Sequence, residues 1–225
     1  MLLGGPRAFV MEHAYWGEDF SGGEVEDFLG RMGAAYERFR DEDKLLDRVV
    51  DLMKAQKVVA WFQLGFEWGP RALGNRSILA DPRNFQMKDI VNAKIKFREP
   101  YRPFAPSVLA DRCEDLFTLP DPKRHYPARF MLYVVDVKEQ SRETFPAVTH
   151  VDGTGRVQIV FKDHSHRYYR LIKRFSEATG VPVVLNTSFN LRGEPIVTTP
   201  ADAFSTFDRS GMDALVMNEY LVRKA

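Results

Sequence analysis

The chain has 225 residues, 44% of them apolar and 12% aromatic, a content that excludes a disordered chain, since such chains are poor in aromatics. Its length suits one large domain or two small ones and lets roughly 70–75% of the unfolded surface be buried, so folding needs no disulfide or metal staple. Lys and Arg number 32 against 31 Asp and Glu, a net charge of +1; this disfavours a globally basic nucleic-acid binder but leaves room for a local basic pocket.

The one cysteine, Cys113, excludes an intrachain disulfide framework and a multi-cysteine metal site, and points to a reducing, cytoplasmic setting. A lone cysteine reads as a small buried hydrophobe before it reads as a nucleophile. No apolar run approaches the ~18 residues of a membrane span, and the start MLLGGPRAFVMEH has neither the basic region nor the long apolar core of an export signal.

Residues 1–23 are rich in Gly and aromatics without periodicity and read as an N-terminal arm or linker, ahead of one domain over 24–225. Ser21 followed by Glu24 marks a helix start, which predicts a short helix over 23–31. Leu45, Leu46, Val49, Val50 and Met53 recur at helical spacing from Asp41 to about Gln56. VVAWFQ (58–63) reads as a strand. Residues 65–83 read as a loop with three Gly, two Pro and three Arg, and 84–95 as a helix ending in the basic run Lys94, Lys96, Arg98, Arg102. Strands are expected at 104–109, 131–137 and 157–161, a helix at 164–178 capped by Gly180, and a buried strand at 181–186 followed by a polar corner. A helix over 200–209 and the strand DALVMN are expected to close the chain. This alternation predicts an α/β or α+β sheet flanked by helices, with ligands taken by the loops after strands.

Four clusters carry the chemistry. Gly69-Pro-Arg71-Ala-Leu-Gly74-Asn-Arg76 pairs glycines, whose backbone approaches an anion closely, with forked donors suited to phosphate. Lys96-Phe-Arg98-Glu-Pro-Tyr-Arg102 sets three cations within seven residues, which repel one another unless an anion or carboxylate neutralises them. Thr149-His-Val-Asp152-Gly-Thr-Gly-Arg156 is a glycine corner ending in a cation, and Asn186-Thr-Ser188-Phe-Asn190 sets small polar groups after an apolar strand. Each has a plainer reading: surface ion pairs for the cations, turn chemistry for the corners. Together they describe a polyphosphate or nucleotide site in a chain of neutral overall charge.

At these residues the chain resembles a family. EWGPRALGNRSILADPR, KFREPYRPFAP, THVDGTGRVQIV and GVPVVLNTSFNLRGEPIV look like the C-terminal, YrdC-like domain of carbamoyltransferases of the NodU and tobramycin type, over about residues 25–222. The resemblance implies a YrdC-like twisted mixed sheet flanked by helices. It also implies a nucleotide pocket marked by a Lys-x-Arg pair, Lys96 and Arg98, and a Ser-x-Asn pair, Ser188 and Asn190. The implied reaction makes carbamoyl adenylate from carbamoyl phosphate and ATP with Mg²⁺. A separate actin-like ATPase-fold N-terminal domain with a His-x-His metal site then moves the carbamoyl group to a hydroxyl acceptor.

On this reading Arg71, Lys96, Arg102 and Arg156 hold phosphates, with Arg71 and Arg102 at the carbamoyl phosphate end. Arg98 and Asn190 complete the nucleotide pocket, and Asn186 and Ser188 orient the carbamoyl or ribose end. There is no room for the N-terminal domain before residue 25, so it is expected in a longer chain or in a partner, and the aromatic arm at Phe9, Tyr15, Trp16 and Phe20 is expected to be partly exposed and to favour a homodimer. The family usually carries a Gly-Arg pair shortly before the Glu-aromatic-Gly-Pro-Arg run. Leu64-Gly65-Phe66 stands here, so the pocket rim is expected to lack one cation. His164-Ser-His166 has metal-ligand spacing but sits at a helix start, where i and i+2 do not share a face, and no metal set is assigned. Asp152 is the better Mg²⁺ candidate, unless it braces Arg156. The competing class is a non-catalytic nucleotide- or RNA-binding module in which Tyr101, Phe104 and Phe189 stack bases.

Overall fold

The computed structural model describes residues 10–224. Among them nine strands form one mixed sheet: β1 (Tyr36–Arg38), β2 (Val59–Phe62), β3 (Arg76–Ala80), β4 (Ala105–Leu109), β5 (Tyr133–Asp136), β6 (Thr154–Val160), β7 (Val183–Ser188), β8 (Ala214–Met217) and β9 (Tyr220–Arg223). The spatial order is β1-β9-β8-β2-β3-β7-β4-β6-β5, with β2–β8 and β4–β6 parallel and the remaining pairs antiparallel.

The helices begin and end where their chemistry dictates. Helix α1 (Gly22–Arg31) opens on the Ser21/Glu24 capping box. Helix α2 (Glu42–Lys54) is capped by Asp41 and buries the five apolar residues of its stripe. The short α3 (Met87–Val91) runs into a π-helical turn, Asn92–Lys96, which ends at Phe97 in a left-handed conformation; such turns recur at functional sites. Helix α4 (Cys113–Leu116) is a single turn. Helix α5 (His166–Thr179) buries Tyr168, Leu171, Ile172 and Phe175 and ends at Gly180, φ +79°, and α6 (Pro200–Asp208) carries a second capping box, Thr199/Asp202. Helices α2, α5 and α6 pack on the sheet, and α5 is tied to α2 by Arg167 and Arg170 on Glu42 and by Arg174 on Asp43. No helix of the described residues is long and apolar enough to cross a membrane.

The structure corrects the sequence reading in four places. The stretch read wholly as loop, 65–83, contains β3, whose five residues are all buried. The polar corner expected after the strand at 181–186 begins two residues later, because Thr187 and Ser188 also lie on β7 and pair with β3. The last three residues of the glycine corner, Thr154, Gly155 and Arg156, likewise belong to β6. The chain closes on β9, not β8, and β9 pairs with β1, a second strand absent from the sequence reading.

Of the stretch read as an arm, the described residues 10–20 have no regular secondary structure, yet they are stitched to the domain. Gly17 N–H donates to the Phe66 carbonyl, Phe66 N–H to Glu18 and Trp68 N–H to Ala14, while the Tyr15 hydroxyl donates to the Leu73 carbonyl and Asn218 to Phe20. Ala14 is buried and Trp16 half exposed; Phe9 lies outside the described residues.

Candidate functional site

Buried Glu67 organises the loop before β3. Its Oε1 accepts the backbone N–H groups of Leu73, Asn75 and Arg76 at 2.7, 2.7 and 3.2 Å, curling residues 67–76 around one carboxylate. Burial raises its pKa against those hydrogen bonds. Sequence reasoning gave this residue no role, although a lone Glu between Phe66 and Trp68 was a visible signal.

The curl divides the two arginines read as anion ligands. Arg76 is fully buried, donates to the carbonyls of Gln63, Leu64 and Glu18, and stacks 3.7 Å over the Phe62 ring. It is a structural residue. Gly74 is likewise used internally: its N–H donates to Ser77 Oγ, and a Cβ there would lie 2.3 Å from the Tyr168 ring. Arg71 instead faces a cavity of about 90 Å³ that it shares with Arg98, Arg156, Asn186 and Ser188. Leu64 and Gly65, which stand where the Gly-Arg pair was expected, are not among the residues lining it.

The cavity gathers cationic side chains with no carboxylate among the described residues that line it. The Nε atoms of Arg71 and Arg156 are buried without a hydrogen-bond partner. Burial, and then the charge of Arg71, lower the Arg156 pKa; burial, then Arg102 and Arg156, lower that of Arg98. Arg98 is held by Asn92 Oδ1 at 2.7 Å and lies over the Phe104 ring. Uncompensated cations and orphaned donors in one recess are stabilised by an anion that neutralises and bonds them.

Lys96 and Arg102 do not enter that cavity. They line an adjoining one with Arg98, Ser188, Asn190 and Arg192, so Arg98 and Ser188 form the wall between the two. Lys96 is buried, and its Nζ donates to Asn190 Oδ1 at 2.8 Å and to the carbonyls of Ser188 and Asn190. The Lys-x-Arg and Ser-x-Asn pairs therefore meet, but through a direct lysine-to-turn contact. Arg102 is half exposed and paired with Glu99 at 3.0 Å.

Other candidates fall away. Asp152 accepts from Thr154 N–H and Oγ1 at 3.0 and 2.7 Å; it braces its own turn, not Arg156, and its carboxylate is engaged where a Mg²⁺ ligand was expected. His164 lies beside Glu12 and Arg129, and Ser165 is the cap of α5. Among the described residues no group of three His, Cys, Asp or Glu could hold a metal ion. Cys113 is buried, which pushes its thiol up to about 12. Phe104 and Phe189 are core residues and Tyr101 alone of the expected stacking trio is exposed, so the base-stacking platform does not form.

The comparisons show the family and the fold. The family model described as "Carbamoyltransferase C-terminus" matches residues 50–224. The chain belongs to this carbamoyltransferase C-terminal family. The domain is 46% identical over 97% of its length to the nodulation protein NolNO of Sinorhizobium fredii, covering 32% of that protein. It is 42% identical over 93% of its length to NolO of Bradyrhizobium diazoefficiens, covering 38% of it, and 42% identical over 96% to an uncharacterised Synechocystis protein, sll1178, again covering 38%. The carbamoyltransferase domain thus spans about a third of the length of these relatives. Among solved structures it is similar to full-length HypF in a phosphate- and nucleotide-bound form (TM-score 0.55, 16% identity, 78% of this chain and 25% of that one) and to T. kodakarensis HypF (0.52, 18%, 82% and 21%). These likenesses concern the fold and bear out the YrdC-like α/β architecture implied by the motifs.

Proposed function

We propose that this domain is the adenylate-forming part of a carbamoyltransferase. It would consume carbamoyl phosphate, ATP and one water, and release phosphate and pyrophosphate with the carbamoyl adenylate. The observation that carries this reading is that Arg71 and Arg156, each with a buried, unpartnered Nε, line one cavity. HypF, a fold relative, has been crystallised in a phosphate- and nucleotide-bound form, which supports it.

Arg71, Arg98 and Arg156 hold phosphate oxygens in the first cavity. Lys96, Arg102 and Arg192 neutralise charge in the second, Lys96 also fixing the Ser188–Asn190 corner. Ser188 touches ligand from the wall between them, and Asn186 offers an acceptor to the carbamoyl end. Most of the catalytic work is positioning and charge neutralisation, which fixed arginines supply without reorganising. ATP supplies the activated α-phosphorus. Mg²⁺ enters with it on the phosphates, since no carboxylate among the described residues lines the arginine cavity.

In this proposal the hydroxyl acceptor is handled by an actin-like N-terminal domain, in the same polypeptide or as a partner, in a reducing cytoplasm; a homodimer through the Trp16 surface is compatible with it. Incubating the 225-residue chain with ATP, Mg²⁺, carbamoyl phosphate and hydroxylated acceptors, followed by mass spectrometry, tests the division of labour. Carbamoyl-phosphate-dependent formation of the adenylate or of AMP, without a carbamoylated acceptor, is expected. A carbamoylated acceptor from this chain alone contradicts the division, and the absence of any adenylate or AMP contradicts the adenylation.

A further inference from the structure

Three neighbouring strands each carry one buried polar side chain: Ser107 on β4, Gln158 on β6 and Asn186 on β7. They meet because β4 lies between the other two. Ser107 is in register with Gln158, and Asn186 with Ala105.

The direction of each amide is forced by backbone carbonyls, which can only accept. Gln158 turns Nε2 to the Leu73 carbonyl, 2.6 Å away. Its Oε1 then accepts from Ser107 Oγ at 2.6 Å and from Asn186 Nδ2 at 2.9 Å. Asn186 Nδ2 also faces Ser107 Oγ at 3.2 Å and the Ala72 carbonyl at 3.3 Å. With Nδ2 so engaged, Asn186 Oδ1 is left buried with no donor, on a residue that lines the arginine cavity. A desolvated amide oxygen without a donor is costly, and a ligand that brings an N–H to it removes that cost.

We infer that Gln158 is a positioning residue for ligand selection: by fixing the Asn186 amide it presents an acceptor to the cavity, which then selects acyl phosphates carrying an N–H donor and rejects those with a methyl in its place. This rests on the carbamoyl phosphate reading of the same site. Buried polar groups built to bond a substrate N–H discriminate far more strongly than an apolar pocket discriminates by shape.

The test compares carbamoyl phosphate with acetyl phosphate, which keeps the phosphate and carbonyl and replaces the amine by methyl. The readout is the ratio of their kcat/KM values in driving exchange of labelled pyrophosphate into ATP by the 225-residue chain. The parent is expected to prefer carbamoyl phosphate by about 100-fold or more. Gln158→Met, which has no oxygen to hold Asn186, is expected to lower the ratio by about tenfold, the scale of one hydrogen bond. Gln158→Glu retains an acceptor toward Asn186 and is expected to retain the preference.

A merely structural role for Gln158 lowers both rates together and leaves the ratio unmoved, which would overturn the inference. Should Gln158→Met not fold, Ser107→Ala removes one donor from Gln158 and is expected to lower the ratio by about two- to threefold; an unmoved ratio there overturns it equally. A parent that uses both acyl phosphates alike overturns the selection while leaving adenylation standing. A parent that shows no exchange with carbamoyl phosphate contradicts the underlying reading and this inference with it.

Discussion

Lys96 Nζ lies 2.8 Å from Asn190 Oδ1 and 3.0 Å from the Asn190 carbonyl, so the cation that ends the π-helical turn is bonded to the corner after β7. Burial, and then the charge of Arg98, push its pKa down to about 7 from 10.5. The folded-state value is the lower one, so between about pH 7 and 10.5 the unfolded chain binds more protons and stability contributed at this site rises with pH. The slope is at most ~1.4 kcal/mol per pH unit. Denaturant unfolding at pH 7 and pH 9 is expected to show the parent gaining stability relative to Lys96→Met, and parallel pH profiles would contradict the assignment.

The electrostatic conflict between Arg156 and Arg71 makes a second prediction. Arg156→Gln relieves like-charge repulsion in the free protein and removes an anion ligand. Its thermal midpoint without ligand is expected to equal or exceed that of the parent, while pyrophosphate binding by calorimetry weakens by ~1.5–3 kcal/mol, the scale of charged hydrogen bonds. Unchanged pyrophosphate affinity would remove Arg156 from the site.

Glu67 makes a third. Glu67→Ala leaves three buried backbone N–H groups without their acceptor and is expected to cost more than ~3 kcal/mol in chemical denaturation. Glu67→Gln keeps one oxygen in place and is expected to cost less than half as much, with pyrophosphate binding retained. Equal losses in the two variants would show that packing, not the acceptor, is what Glu67 provides.

The fourth sets two glycines against each other. Both have positive φ, +115° at Gly74 and +119° at Gly69, but a Cβ at Gly69 meets nothing within 4 Å. Gly69→Ala is expected to cost ~1 kcal/mol from backbone strain alone. Gly74→Ala adds the collision with the Tyr168 ring and is expected to cost ~3 kcal/mol or more. Comparable melting temperatures for the two variants would contradict the close approach.

What was legible in the sequence follows what each segment spends its side chains on. Helices α1, α2, α5 and α6 announce themselves through caps and apolar stripes, as at Ser21/Glu24 and Leu45–Met53. Strand β3 does not, because its first residue is a charged Arg76 whose guanidinium is satisfied by distant carbonyls of Gln63, Leu64 and Glu18. Asn186 and Ser188 look like turn residues because polar groups at a strand end ordinarily are; here they pair with Leu79 and Ser77 on β3. The cation clusters were visible, but their sorting was not. Nothing in the spacing says that Arg76 stacks on Phe62 while Arg71 opens into a cavity, since both follow from the Glu67 curl. Gln158 drew no comment inside the strand expected at 157–161. The available signal was that APSVL, VQIV and VVLN each interrupt an apolar run with one hydrogen-bonding side chain.

On the proposed function, the Arg71–Arg156 cavity receives phosphate. A crystal structure of the chain with a non-hydrolysable ATP analogue and Mg²⁺ tests it most directly. Phosphate oxygens are expected within hydrogen-bond distance of Nε of both Arg71 and Arg156, with Arg98 at the same group. A nucleotide bound with its phosphates elsewhere, and these two nitrogens still without an anion, would contradict it.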